Sequence, residues 1–138
     1  MKYLPTIAGA LLGLLFVVFG LDFFLHFMPA QPMPPEGSPP ALFMGALHPT
    51  GYLAFVKVLE ILGGALTAIP RTRAAGLLIL GPIIVNILAF QIFLLKGAAL
   101  FSPPIVPVIG VLALYLVWSH RAGFCALLGG PGCCTPSK

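Results

Sequence analysis

Residues 51–69 read GYLAFVKVLEILGGALTAI. Apart from Tyr52, Lys57, Glu60 and Thr67 the run is apolar or small. At about 1.5 Å per residue, a helix of this length nearly matches the ~30 Å hydrocarbon core of a bilayer. Three further blocks share this character, at 4–27, 74–95 and 103–119. The whole chain is 59% hydrophobic, with seven Lys/Arg and three Asp/Glu among 138 residues. Ten charged side chains are too few to cover a soluble domain of this size. The expected class is therefore an all-α integral membrane four-helix bundle. A single domain spans 1–121, with a proline-rich outer loop at 28–50 and a tail at 122–138.

The first block exceeds the roughly 7–15 apolar residues of a cleavable signal core, and no small-x-small site follows it, so it reads as a retained helix. No stretch is left for a separate soluble catalytic domain, so any chemistry falls to the bundle or to partners. The net charge of +4 is not gathered on an aromatic-studded face, which argues against nucleic acid. It follows the membrane instead. With four spans, Lys2, Arg71, Arg73, Arg121 and Lys138 share one side, and Lys96 alone marks the loops of the other. The positive-inside rule then places both termini in the cytoplasm. Tyr3 and Trp118 fit the inner interface and Tyr52 the outer one.

The loop 28–50 carries seven prolines, which excludes regular helix over most of its length. Its apolar ALFMGAL segment reads as a partial helical turn along the interface. The tight PRTR connection makes the second and third helices antiparallel neighbours. The prolines that end KGAALFSPP suit the first turn of the fourth. Gly9 and Gly13 form a GxxxG pair, and Gly63 and Gly64 a small-residue patch, both suited to close helix packing in lipid. Pro82 frees the carbonyl of Leu78 and bends the third helix.

An ionised side chain at the centre of a membrane helix costs about 2.5–3.5 kcal/mol, so Lys57 and Glu60 need partners. Measured from the outer end of each helix, Asp22, Lys57 and Gln91 lie roughly 6–8 Å deep, and Glu60 and Asn86 roughly 12–13 Å. Asp22 with His26, and Lys57 with Glu60, also share helix faces by their spacing. The expectation is one polar layer in the outer half. Read structurally, Asp22 or Glu60 neutralises Lys57 while Asn86 and Gln91 supply hydrogen bonds. Read functionally, the layer is an outward-opening pocket for a quinone headgroup, a small anion or a proton.

His26 and His48 lack a third ligand or a defining spacing, so no metal is assigned. His120 reads as an interface residue beside Trp118 and Arg121. Cys125, Cys133 and Cys134 form neither C-x-x-C nor C-x-x-C-H, which leaves no motif for a redox centre or covalent haem. Nucleotide loops and nucleophile triads are absent, and no catalytic residue is assigned.

The run GLLFVVFGLDFFLHFMP, a proline-rich loop, and then TGYLAFVKVLEILGGALTAIPRTRAAGLLILGPIIVNILAFQIFLL resembles the DoxX family of small four-helix membrane proteins. The resemblance covers about 11–95 and is most specific at EILGG and GPIIVNILAF. It implies a four-helix bundle, with Glu60, Gly63, Gly64, Pro82 and Asn86 at matching positions. Relatives often carry a histidine after the phenylalanine of the third helix, where this chain has Gln91. Some members look like subunits of thiosulfate:quinone oxidoreductases, and others are linked to redox complexes that detoxify oxidants. The resemblance thus implies an accessory subunit of a quinone-linked redox assembly in the bacterial inner membrane, meeting lipid and other subunits. The rival expectations are a stand-alone small transporter using the same layer, and a purely structural subunit.

Overall fold

The computed structural model describes residues 3–29, 33–96 and 105–127, without the side chains of 125–127. Lys2, the 97–104 connection, Cys133, Cys134 and Lys138 lie outside the described residues, and of Cys125 only the backbone is described. The chain forms α1 (Leu4–Leu25), α2 (Pro39–Leu47), α3 (Tyr52–Ala68), α4 (Arg73–Ala89), a π-turn over Phe90–Leu94, α5 (Ile105–Ser119) and α6 (Arg121–Leu127). No strand occurs among the described residues.

Local chemistry sets the ends. Pro5 occupies the first turn of α1, where its missing amide leaves no bond unmade. His26 closes that helix in a left-handed conformation, φ 51°, two residues before the expected boundary. Its amide bonds the carbonyl of Asp22. The 28–50 loop is more ordered than its prolines suggest. Pro39 and Pro40 sit in the first turn of α2, the one place in a helix where proline is welcome, and the helix then runs nine residues. Thr50 bonds the carbonyls of Ala46 and Leu47, and Gly51 turns the chain through φ 75° into α3. The two helices meet at 83°. The expected tail from 122 is also helical as far as Leu127.

α3 is the central element, packed on α1 along one side and on α4 along the other, while α5 touches α1 and α4. Large buried side chains come from α1 (Leu12, Phe16), α4 (Leu77, Leu80, Ile84) and α5 (Ile109, Leu116). The buried face of α3 carries none, only Glu60, Gly63, Gly64 and Thr67. There the backbones themselves approach. A Cβ on Gly64 would lie 2.8 Å from the carbonyl oxygen of Gly13, and one on Gly76 2.8 Å from that of Gly63.

Outside this core the surface is apolar, with Leu14, Phe55, Leu78, Val85, Val111 and Leu114 all exposed. Such a surface suits lipid rather than water. Two helical segments, Leu4–Leu25 and Arg73–Leu94, are long and apolar enough to cross a membrane, and α2 with α3 makes a third if the bent pair counts as one span. The 15 described residues of α5 are apolar and cover about 22 Å. The four-span expectation is met in part.

Candidate functional site

All four long helices contribute to one cavity of about 150 Å³. Phe16 and Phe19 come from α1, Ile87 from α4, and Ile105 and Ile109 from α5. Among the described residues α3 supplies the charged lining, Lys57 and Glu60. These two are three apart on one helix, so they stack on the same face. Lys57 Nζ donates to Glu60 Oε2 at 2.8 Å. The Glu60 side chain is 4% exposed and that of Lys57 22%, so the ammonium sits nearer the outside and shields the carboxylate.

Their pairing explains how α3 carries two charges among apolar neighbours. A lone carboxylate there would be strongly disfavoured, whereas a paired one recovers much of its lost hydration. Lys57 spends one of its three N–H donors on Glu60. The arrangement presents a small, half-open apolar recess with a cation and a carboxylate on one wall. It can hold a ring against Phe16, Phe19 and the isoleucines while hydrogen-bonding one polar edge.

The other members of the expected layer do not join this pair. Asp22 Oδ1 instead accepts the amide of Met28 at 2.8 Å, fastening the chain as it leaves α1. Lys57 is therefore neutralised by Glu60 and not by Asp22. His26 is exposed, and His48 lies against Phe23 with 6.0 Å between ring centroids. Among the described residues no three His, Cys, Asp or Glu side chains come together.

Asn86 does not line the cavity with Glu60. The buried stripe of α4 runs through Leu77, Leu80 and Ile84. Two residues past Ile84 is a rotation of about 200°, so Asn86 points outward and is exposed. Pro82, four residues earlier, is exposed on the same side. Gln91 lies one turn beyond the cavity-lining Ile87, inside the π-turn, and its Oε1 is buried without a partner.

The glycines line two seams. Gly13 and Gly64 bring α1 against α3, with Gly20 close to Ile61 beside the site. Gly63 and Gly76 bring α3 against α4. Gly9 faces a different neighbour, the guanidinium of Arg73.

Arg73 was expected in the inner loop with Arg71. Arg71 is exposed, but Arg73 is 2% exposed and opens α4. Its Nε donates to the carbonyl of Thr67 at 3.0 Å, and its Nη2 is buried without a partner. Thr72 likewise donates to the carbonyl of Leu66. Together they cap the carbonyl end of α3, where a cation also meets the negative end of the helix dipole. The available signal was spacing: positions 73, 77, 80 and 84 form one helical stripe. Gly20 and Gly76 were missed as well, since neither has a second glycine four residues away.

No family model matches the chain, and no curated protein or solved structure is detectably similar to it.

Proposed function

We propose that the chain is a DoxX-like protein of the bacterial inner membrane, spanning it four times with both termini cytoplasmic. In this reading it serves a quinone-linked redox assembly as an accessory subunit, and the Lys57–Glu60 cavity receives the quinone headgroup. The family reading rests on EILGG and GPIIVNILAF.

One observation carries the functional part: an ion pair on the wall of an otherwise apolar cavity built from all four helices. A cavity of about 150 Å³ is large enough for a benzene-sized ring. The two phenylalanines and three isoleucines would flank such a ring, and a free Lys57 N–H would donate to its carbonyl oxygen. The chain has no cofactor motif of its own, so electrons would pass between the quinone and a partner subunit.

The test is purification from native membranes in mild detergent, with native mass spectrometry for companions and equilibrium dialysis against a short-chain ubiquinone. Saturable binding is expected, and Ile105→Trp, which fills the cavity and leaves the ion pair intact, is expected to weaken it at least about tenfold, or ~1.4 kcal/mol. A particle without redox companions that also binds no quinone would end the proposal.

A further inference from the structure

The recess that holds Lys57 and Glu60 has a cover. Its α1 wall is formed by Phe16 and Phe19, and its α4 wall by Ile87. One turn further out on the same faces stand Phe23, four residues past Phe19, and Phe90, three past Ile87. α2 reaches both. The ring of Phe43 lies 5.5 Å from that of Phe90, and the ring of His48, which ends the helix, lies 6.0 Å from that of Phe23. α2 therefore runs from one wall of the recess to the other, at 83° to α3. The inner end is closed by the core, where Phe16 and Ile109 cluster with Leu12, Leu80 and Ile84. Between α1 and α3 the backbones leave no gap, since a Cβ on Gly20 would lie 3.2 Å from the carbonyl oxygen of Lys57.

From this we infer that α2 roofs the recess, which exchanges with the bilayer through its flank and not with the water outside. The inference rests on the membrane-spanning, ligand-binding reading proposed above. It narrows the ligand to a ring-bearing molecule dissolved in lipid, as opposed to a small anion arriving from water.

The chemistry of the roof and of the walls agrees. No Lys, Arg, Asp or Glu stands between Glu36 and Lys57, and α2 shows Leu42 and Met44, 65% and 41% exposed, on its free surface. An apolar helix lying across the ends of membrane helices settles at the boundary of headgroups and acyl chains, and lifting it into water would expose that surface. Lys57 and Glu60 together carry no net charge, so the recess exerts little pull on a free ion. Its remaining lining is apolar throughout.

Tryptophan fluorescence in liposomes tests the roof. Trp118→Phe removes the one native tryptophan. In that background Phe19→Trp reports from the recess, with Ile105→Trp as a second reporter on the α5 wall. Tyr52→Trp, 54% exposed, reports from the start of α3, and Leu114→Trp, 73% exposed, from the surface of α5. With iodide on both sides of the bilayer, Tyr52→Trp should be quenched strongly and the two recess reporters little. Lipids with brominated acyl chains should quench the recess reporters instead. Adding Phe43→Ala, which unpins α2 from Phe90, should raise iodide quenching of the recess reporters about 2- to 10-fold, the scale of one lost ring pair. No quinone is present, so the outcome does not depend on the ligand named above. Strong iodide quenching of Leu114→Trp would overturn the membrane reading and the roof with it. With Leu114→Trp protected, the roof alone is overturned if iodide reaches the recess reporters as readily as Tyr52→Trp, if brominated lipid leaves them bright, or if Phe43→Ala changes nothing.

Discussion

The two ends of α3 hold buried charge in opposite ways. Near its start, Lys57 and Glu60 neutralise each other beside a cavity. Just past its finish, Arg73 is buried with no carboxylate to meet it, held by the carbonyl of Thr67 and pressed on Gly9. The chain has only three acidic residues, Asp22, Glu36 and Glu60, and none is near Arg73 in sequence. Where side chains are paired across open space, the helices leave room for a ligand. Around Gly13, Gly64 and Gly76 the backbones touch and no room is left. The contrast separates a region that has the means to bind something from one that holds the helices together.

The largest effect should come from the tight region. Gly64→Leu places a Cβ 2.8 Å from a backbone oxygen, which no rotamer change can relieve. Overpacking of this kind costs about 1–3 kcal/mol for small insertions, and leucine adds far more than one methyl. The expected result is a protein that no longer accumulates in membranes or elutes as a single species. Gly81→Ala is the control. A Cβ there meets nothing within 4 Å, so the helix should gain up to about 1 kcal/mol. Equal tolerance of both substitutions would mean that α1 and α3 are not in backbone contact.

A smaller loss is expected at the charge pair. Lys57→Met strands a carboxylate whose side chain is only 4% exposed. Removing one member of a buried pair typically costs about 3–5 kcal/mol, and the partial exposure of Lys57 points to the lower end. Adding Glu60→Leu should return most of that loss, because no charge is then left unpaired. Denaturation midpoints of the two single variants and the double variant give the coupling. Additive losses would show that the two side chains do not depend on each other.

Which residues face one another was only partly legible in the sequence. Spacing alone puts Lys57 over Glu60, and their pairing follows from geometry. Asn86 was expected beside Glu60 but is exposed, as a rotation of about 200° separates it from buried Ile84. α4 is apolar all round, so no polar face announces which side turns inward. Arg71 and Arg73 pose the same difficulty, since both look like loop charges until the start of the helix is known. Asp22 was lost to the end of its own helix, because a carboxylate there can bond a backbone amide at little entropic cost. The proline-rich loop hid α2 by composition, although Pro39 and Pro40 stand where proline starts a helix rather than breaking one.

The smallest of these effects should be at Arg73, and it tests the comparison most finely. Arg73→Met removes a charge-assisted hydrogen bond to Thr67, a loss of about 1.5–3 kcal/mol. It also removes a buried cation and an unpaired N–H, and a flexible apolar side chain of similar length can fill the space over Gly9. The terms oppose, and the net change should stay within about 1 kcal/mol, or roughly 3–5 °C in the melting midpoint. Lys57→Met, chemically the milder change, should cost more because it leaves an opposite charge behind. If Arg73→Met proves as damaging as Lys57→Met, the bond from Arg73 to the carbonyl of Thr67 outweighs the relief of removing a buried cation.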